Sequence, residues 1–208
     1  VLIGLDLDNT LIDYDAAFRT LAVDLGWLPA DFAGGKAEVR QTLRAGPGGE
    51  AAWMRLQGRV YGAEIGRARL FDGALAVLRA AREAGHRLVI VSHKTPTGHF
   101  DPDRVDLRAA ARAFLTEHGG LAAGGGPLAD DALHFADSRD GKIAQIAALG
   151  PAVFVDDLPE VLTHPAFPAA TRRLLFQPAP GRAPPPGVAV ATSWAEVGAW
   201  LGLAEVGR

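Results

Sequence analysis

Short apolar runs that each stop at a polar residue constrain this chain more than any other feature. Val1-Leu2-Ile3-Gly4-Leu5 stops at Asp6, Leu88-Val89-Ile90-Val91 at Ser92, and Ala152-Val153-Phe154-Val155 at Asp156. Between the later runs lie segments with helical periodicity, such as 139–149 with Ile143, Ile146 and Leu149 on one face. Strands that are apolar throughout are buried on both faces, and alternating with helices they predict a parallel sheet covered on both sides. Ligands of such sheets sit beyond the C-terminal ends of the strands. The residues that stop the runs are therefore the candidates for chemistry.

The order of elements departs from simple alternation once. After a first strand at 1–8, three helical segments follow (14–27, 36–45 and 50–66) before any second strand. That is too much chain for one crossover, and it predicts a small helical domain at 14–70 inserted into a core made of 1–13 and 71–208. From Asp72 onward the pattern is regular: a helix closed by Gly85, a strand at 87–91, a helix at 105–118, a strand at 133–136 and a helix at 139–149. Further strands are expected at 152–155, 174–176 and 188–191, with a last helix from Ser193.

Composition narrows the function. Hydrophobic residues are 49% of the 208, enough for a real core. A net charge of −3 argues against broad binding of nucleic acid. No apolar run approaches the length of a membrane span, and no basic start precedes an apolar stretch, so neither a membrane segment nor a secretory leader is expected. With no cysteine, thiol catalysis and disulfides are excluded, and a cytoplasmic location is compatible. Lysine is rare, which draws the eye to Lys36, Lys94 and Lys142. Oligomeric state is not legible.

Asp6 and Asp8 are one residue apart at a strand end. Strand side chains alternate faces, so both carboxylates point the same way. Crowded acids persist cheaply only with a cation between them or a shared proton, which suggests a Mg²⁺ site with a nucleophile and an acid beside it. An EF-hand loop is rejected, because its glycine and glutamate positions are held by Leu11 and Ala17. Asp156-Asp157 ends a third strand, and Glu160 follows three residues later. Asp157 and Glu160 also fit a helix start, so support of the metal ligands and helix capping are both open. Asp13 and Asp15 read as helix caps. Trp27 and Trp53 read as core of the insert, and most of Arg40, Arg44, Arg55 and Arg59 as a solvated face.

With these residues in order, the chain resembles the haloacid dehalogenase (HAD) superfamily, most of whose members are phosphatases. Its D-x-D-x-T motif is similar to Asp6, Asp8 and Thr10, its strand-ending Ser or Thr to Ser92, its lysine to Lys142, and its acidic motif to Asp156 with Asp157 or Glu160. The resemblance implies a Rossmann-like α/β core with a small helical cap, and Mg²⁺-dependent hydrolysis of a small-molecule phosphomonoester. It implies Asp6 as nucleophile, Asp8 as acid and base, Ser92 as donor to a phosphoryl oxygen and Lys142 as the neutralising cation. Asp6, Asp156 and the Asp8 backbone carbonyl are the implied metal ligands. Thr10 has either a turn role or a role in binding, and His93 and Lys94 follow Ser92 closely enough to reach substrate. The second acid, Asp8, favours phosphoryl transfer over carbon–halogen cleavage. A phosphotransferase, a dehalogenase and a silent anion- or partner-binding protein are the rival readings.

Overall fold

The computed structural model describes residues 1–100, 103–179 and 183–203. In chain order the elements are β1 (Leu2–Leu5), β2 (Ile12–Asp13), α1 (Asp15–Asp24), α2 (Lys36–Ala45), α3 (Gly49–Tyr61), β3 (Arg69–Leu70), α4 (Ala74–Glu83), β4 (Arg87–His93), α5 (Leu107–Glu117), β5 (Leu133–Ala136), α6 (Arg139–Leu149), β6 (Val153–Asp156), α7 (Pro159–Leu162), β7 (Arg172–Phe176), β8 (Ala189–Ala191) and α8 (Trp194–Trp200). They divide into two compact units, 1–11 with 70–94 and 115–208, and 12–69 with 95–114. Among the described residues no helix is long and apolar enough to cross a membrane.

The first unit holds a six-stranded sheet in the order β5-β4-β1-β6-β7-β8, every pair parallel. This is an α/β, Rossmann-like core. β1, β4 and β6 are adjacent, so the three apolar runs of the sequence end side by side. Their burial is near complete: Ile3, Leu5, Ile90, Val91, Phe154 and Val155 are at most 1% exposed. One core packs Val91, Ile143, Ile146, Phe154, Val161, Leu162 and Leu175 together. Gly4 is required in it, because a Cβ there would stand 2.5 Å from the Phe154 ring.

β1 is shorter than its sequence suggests. It ends at Leu5, although the Asp6 N–H still reaches the Val155 carbonyl at 2.8 Å. The chain then turns, and Asn9 takes the left-handed conformation at φ 62°, one that asparagine tolerates better than most residues. Three ties hold this turn. Leu11 N–H bonds the Leu7 carbonyl, Phe71 N–H bonds the Leu11 carbonyl, and the Trp194 indole N–H bonds the Thr10 carbonyl at 3.0 Å.

The second unit is helical. Its core is aromatic: Tyr14, Phe18, Trp53 and Tyr61 meet with ring centroids 4.8–6.4 Å apart, and Lys36 lies over the Phe18 and Tyr61 rings while donating to the Tyr61 hydroxyl at 2.8 Å. Trp53 is buried as expected, whereas Trp27 stands 37% exposed. Arg44 pairs with Glu50 and Arg59 with Glu64, while Arg40 covers Trp53. Two differences from the sequence reading follow from local chemistry. α3 stops at Tyr61, before Gly62, and a separate 3₁₀ turn forms at Ile65–Arg67. Residues 95–114 join this unit, which the sequence had confined to 14–70. Gly62 lies at the contact: a Cβ there would stand 3.1 Å from Leu107 and 3.2 Å from Val105, so the segment packs closely on the end of α3.

Candidate active site

All the candidate residues of the first unit meet beyond the C-terminal ends of β1, β4 and β6. Asp6 follows β1, Ser92 and His93 close β4, and Asp156 closes β6. Lys142 enters from the first turn of α6. Ser138 caps that helix by accepting the Gly141 N–H at 3.1 Å, which fixes where the helix starts and which residue faces the sheet.

The centre is a buried lysine shared by two buried acids. Lys142 Nζ donates to Asp6 Oδ1 at 2.6 Å and to Asp156 Oδ2 at 2.5 Å. Lys142 is 1% exposed, Asp6 5% and Asp156 0%. The other Asp156 oxygen accepts the Leu158 N–H at 2.9 Å, and Thr10 donates its hydroxyl to Asp6 Oδ2 at 3.4 Å. Burial alone would weaken the Lys142 charge, but the charges of Asp156 and Asp6 and the hydrogen bonds to both overcome it. They hold the ammonium above the ordinary lysine range. Burial pushes the Asp156 carboxyl up to about 7, against the pull of Lys142, and the Asp6 charge adds to the rise. One ammonium does not satisfy this many acids. His93 keeps solvent contact, yet the part of its ring turned to the protein is desolvated, and this, with the charge of Lys142 after it, lowers its affinity for a proton.

Asp8 also faces an ammonium. Its Oδ2 lies 2.8 Å from Lys94 Nζ, so both aspartates of the motif face a buried lysine. Thr10 is fully buried against Asp6, and Ser92 is 1% exposed. His93 is exposed at the rim, and Lys94 is 4% exposed.

Carboxylate oxygens of Asp6, Asp156 and Asp157 all lie within 4.8 Å of one another. An all-oxygen donor set of this kind suits a hard divalent cation such as Mg²⁺. Asp6 and Asp156 share a single ammonium, and a divalent cation would add the positive charge that these acids, with Asp157, would accept. Asp157 thus stands with the acids, while α7 is capped at Leu158 with no side-chain cap bond. Sequence reading did not find Trp194. Its indole grips Thr10 from 184 residues away, and no local pattern announces such a contact.

This is the fold of the haloacid dehalogenase superfamily, with that fold's polar strand ends gathered at one edge. Solved structures with the same fold include a HAD-superfamily hydrolase of subfamily IA from Geobacter sulfurreducens (15% identity, 97% of this chain and 96% of that one, TM-score 0.56). A predicted phosphatase from Clostridium acetobutylicum is similar at 16% identity over 96% and 97% of the two chains, with a TM-score of 0.55. Protein Tyrosine Kinase A from Mycobacterium tuberculosis is similar at 19% identity over 97% and 98%, with a TM-score of 0.61. No protein-family model and no curated protein matches the chain.

Proposed function

We propose that the protein is a hydrolase that cleaves a phosphomonoester of a small molecule with the help of Mg²⁺, through an aspartyl-phosphate on Asp6. The observation that carries this reading is Lys142 bridging Asp6 and Asp156 in a dry site, with a second acid, Asp8, two residues from the first. A phosphate monoester is a dianion that repels an approaching carboxylate. Asp6 needs a fixed cation beside it to be a nucleophile there, and Lys142 is that cation. Asp6, Asp156 and Asp157, with the Asp8 backbone carbonyl, would hold the Mg²⁺ ion, which when bound neutralises charge on the phosphoryl oxygens.

The chain's own residues divide the remaining work. Lys142 holds one oxygen of Asp6, and Thr10 steadies the other. The Asp6 carboxylate bonds to phosphorus as the bond to the leaving oxygen breaks, and Asp8 hands that oxygen a proton. Asp8 then takes a proton from water as the water oxygen attacks phosphorus, which frees Asp6 and inorganic phosphate. Ser92, at the end of β4, is placed to donate to a phosphoryl oxygen.

The test is release of inorganic phosphate from an aryl phosphate and from a panel of small phosphomonoesters, with Mg²⁺ and with a chelator. Asp6→Asn should lower turnover by about 10⁴-fold or more. Wild-type protein silent across the panel with Mg²⁺ would sink the reading in favour of a binding protein. Chloride release from a haloacid would replace it with a dehalogenase. Phosphate that stays on the protein until an alcohol acceptor is added would replace it with a phosphotransferase.

A further inference from the structure

We propose that Lys94 is a positioning residue for Asp8 and does not bind the substrate phosphate; the inference rests on the phosphatase reading for what Asp8 does. The sequence suggests the opposite, since Lys94 follows Ser92 closely enough to reach substrate. Geometry points elsewhere. Lys94 Nζ is 2.8 Å from Asp8 Oδ2, and the lysine side chain is 2% exposed against 17% for the aspartate. The carboxylate is the outer member of the pair, so a ligand arriving from solvent meets Asp8 first.

The backbone supports this order. Lys94 N–H donates to the Ala136 carbonyl at 3.0 Å, extending the β4–β5 ladder by one residue beyond His93. The lysine therefore grows from the sheet itself. Asp8 lies past the end of β1 at Leu5, at a single β-bridge just before the turn at Asn9 with φ 62°. A side chain where the chain leaves the sheet is held by what it meets, and Lys94 is the cation it meets. A lysine seldom lies buried unless it is paired, because ordering and desolvating it is costly. The phosphoryl end of the site already has its own ammonium, Lys142, engaged with Asp6 and Asp156.

Position matters more for Asp8 than for any other group here. It must reach the leaving oxygen in one step and a water in the next, both within hydrogen-bond distance. A misplacement of about 1 Å can cost about 10²-fold in rate.

The experiment compares wild type, Lys94→Met, Lys94→Arg, Asp8→Asn and the Lys94→Met/Asp8→Asn double variant, all with Mg²⁺. Two substrates are used: an alkyl phosphate, whose leaving oxygen needs a proton, and 2,4-dinitrophenyl phosphate, whose leaving group departs without one. Lys94→Met should lower kcat on the alkyl ester by about 10–100-fold, with KM changed less than about 2-fold. The burst of dinitrophenol should keep the wild-type rate, because the first step no longer needs Asp8. The double variant should be no slower than Asp8→Asn alone, and Lys94→Arg should recover part of the loss. A KM raised tenfold with kcat kept, or losses that multiply in the double variant, would overturn the proposal. A crystal structure of Lys94→Met gives a reading that needs no substrate. Asp8 displaced by about 1 Å supports the proposal, and an unmoved carboxylate overturns it. Failure of the wild type on both esters counts against the phosphatase reading alone, since the crystal structure still decides the role of Lys94.

Discussion

Lys142 and Lys94 are both buried, and both face an aspartate of the first motif, yet the two corners they make are unlike. Lys142 lies between two carboxylates, with the side chains at 7% and 0% exposure, and it reaches them from a helix capped by Ser138. Lys94 extends from a sheet strand to a carboxylate that keeps 17% of its side chain open. The first corner is closed at both of its acids, and the second is open at its acid. The contrast teaches that a lysine between two buried acids locks both, while a lysine behind a partly open acid holds it and leaves its front free; the first suits the nucleophile and the second the proton carrier of the proposed reaction.

The largest effect on folding should come from breaking the closed corner. Lys142→Met leaves Asp6 and Asp156 buried without their cation, at a cost of about 3–5 kcal/mol in stability, measured by chemical denaturation. A loss below about 1 kcal/mol would mean that water already reaches these acids. The open corner should be gentler: Lys94→Met costs about 1–2 kcal/mol, because Asp8 can turn its exposed edge to solvent. If the two variants are equally unstable, the distinction between the corners is lost. Trp194→Phe removes the indole N–H from the Thr10 carbonyl and should cost about 1 kcal/mol or more in the same assay, with a fall in kcat as Thr10 and Asp6 loosen.

The smallest effect sharpens the electrostatics. The Asp156 carboxyl titrates near 7 in the fold against 3.8 ordinarily, so between those values the folded protein holds a proton that the unfolded chain has released. Metal-free protein should therefore be most stable at the acid end of that window and lose stability as pH rises through about 7. Mg²⁺ favours the ionised acid, so its rise in Tm should be larger at pH 8 than at pH 5. Equal shifts at both values would show that Asp156 does not carry the metal dependence.

The sheet was legible because buried parallel strands leave continuous apolar runs, and β4 and β6 stand close to where those runs predict. α2 falls at Lys36–Ala45, the span its periodicity indicates. The boundary of the second unit was less legible. Residues 95–114 pack on the end of α3 beside Gly62, a contact between segments far apart in sequence. In the site, Asp6, Lys142 and Asp156 could be picked out because each sits at a strand end or a helix start. The partner of Asp8 could not, because Lys94 comes from another strand far along the chain, a pairing that no local pattern announces. Trp194 was hidden for a similar reason: its work is done by one N–H at a distance that no pattern spans.

That indole bond has a consequence for how the molecule comes into being. The turn that carries Asp6 is made well before its clamp, because the Trp194 indole that holds the Thr10 carbonyl lies 184 residues further along the chain. The strands between them can pair without this clamp. The turn should thus gain its last tie only when α8 docks, so that a chain stopped short of Trp194 carries the motif with its turn less firmly held.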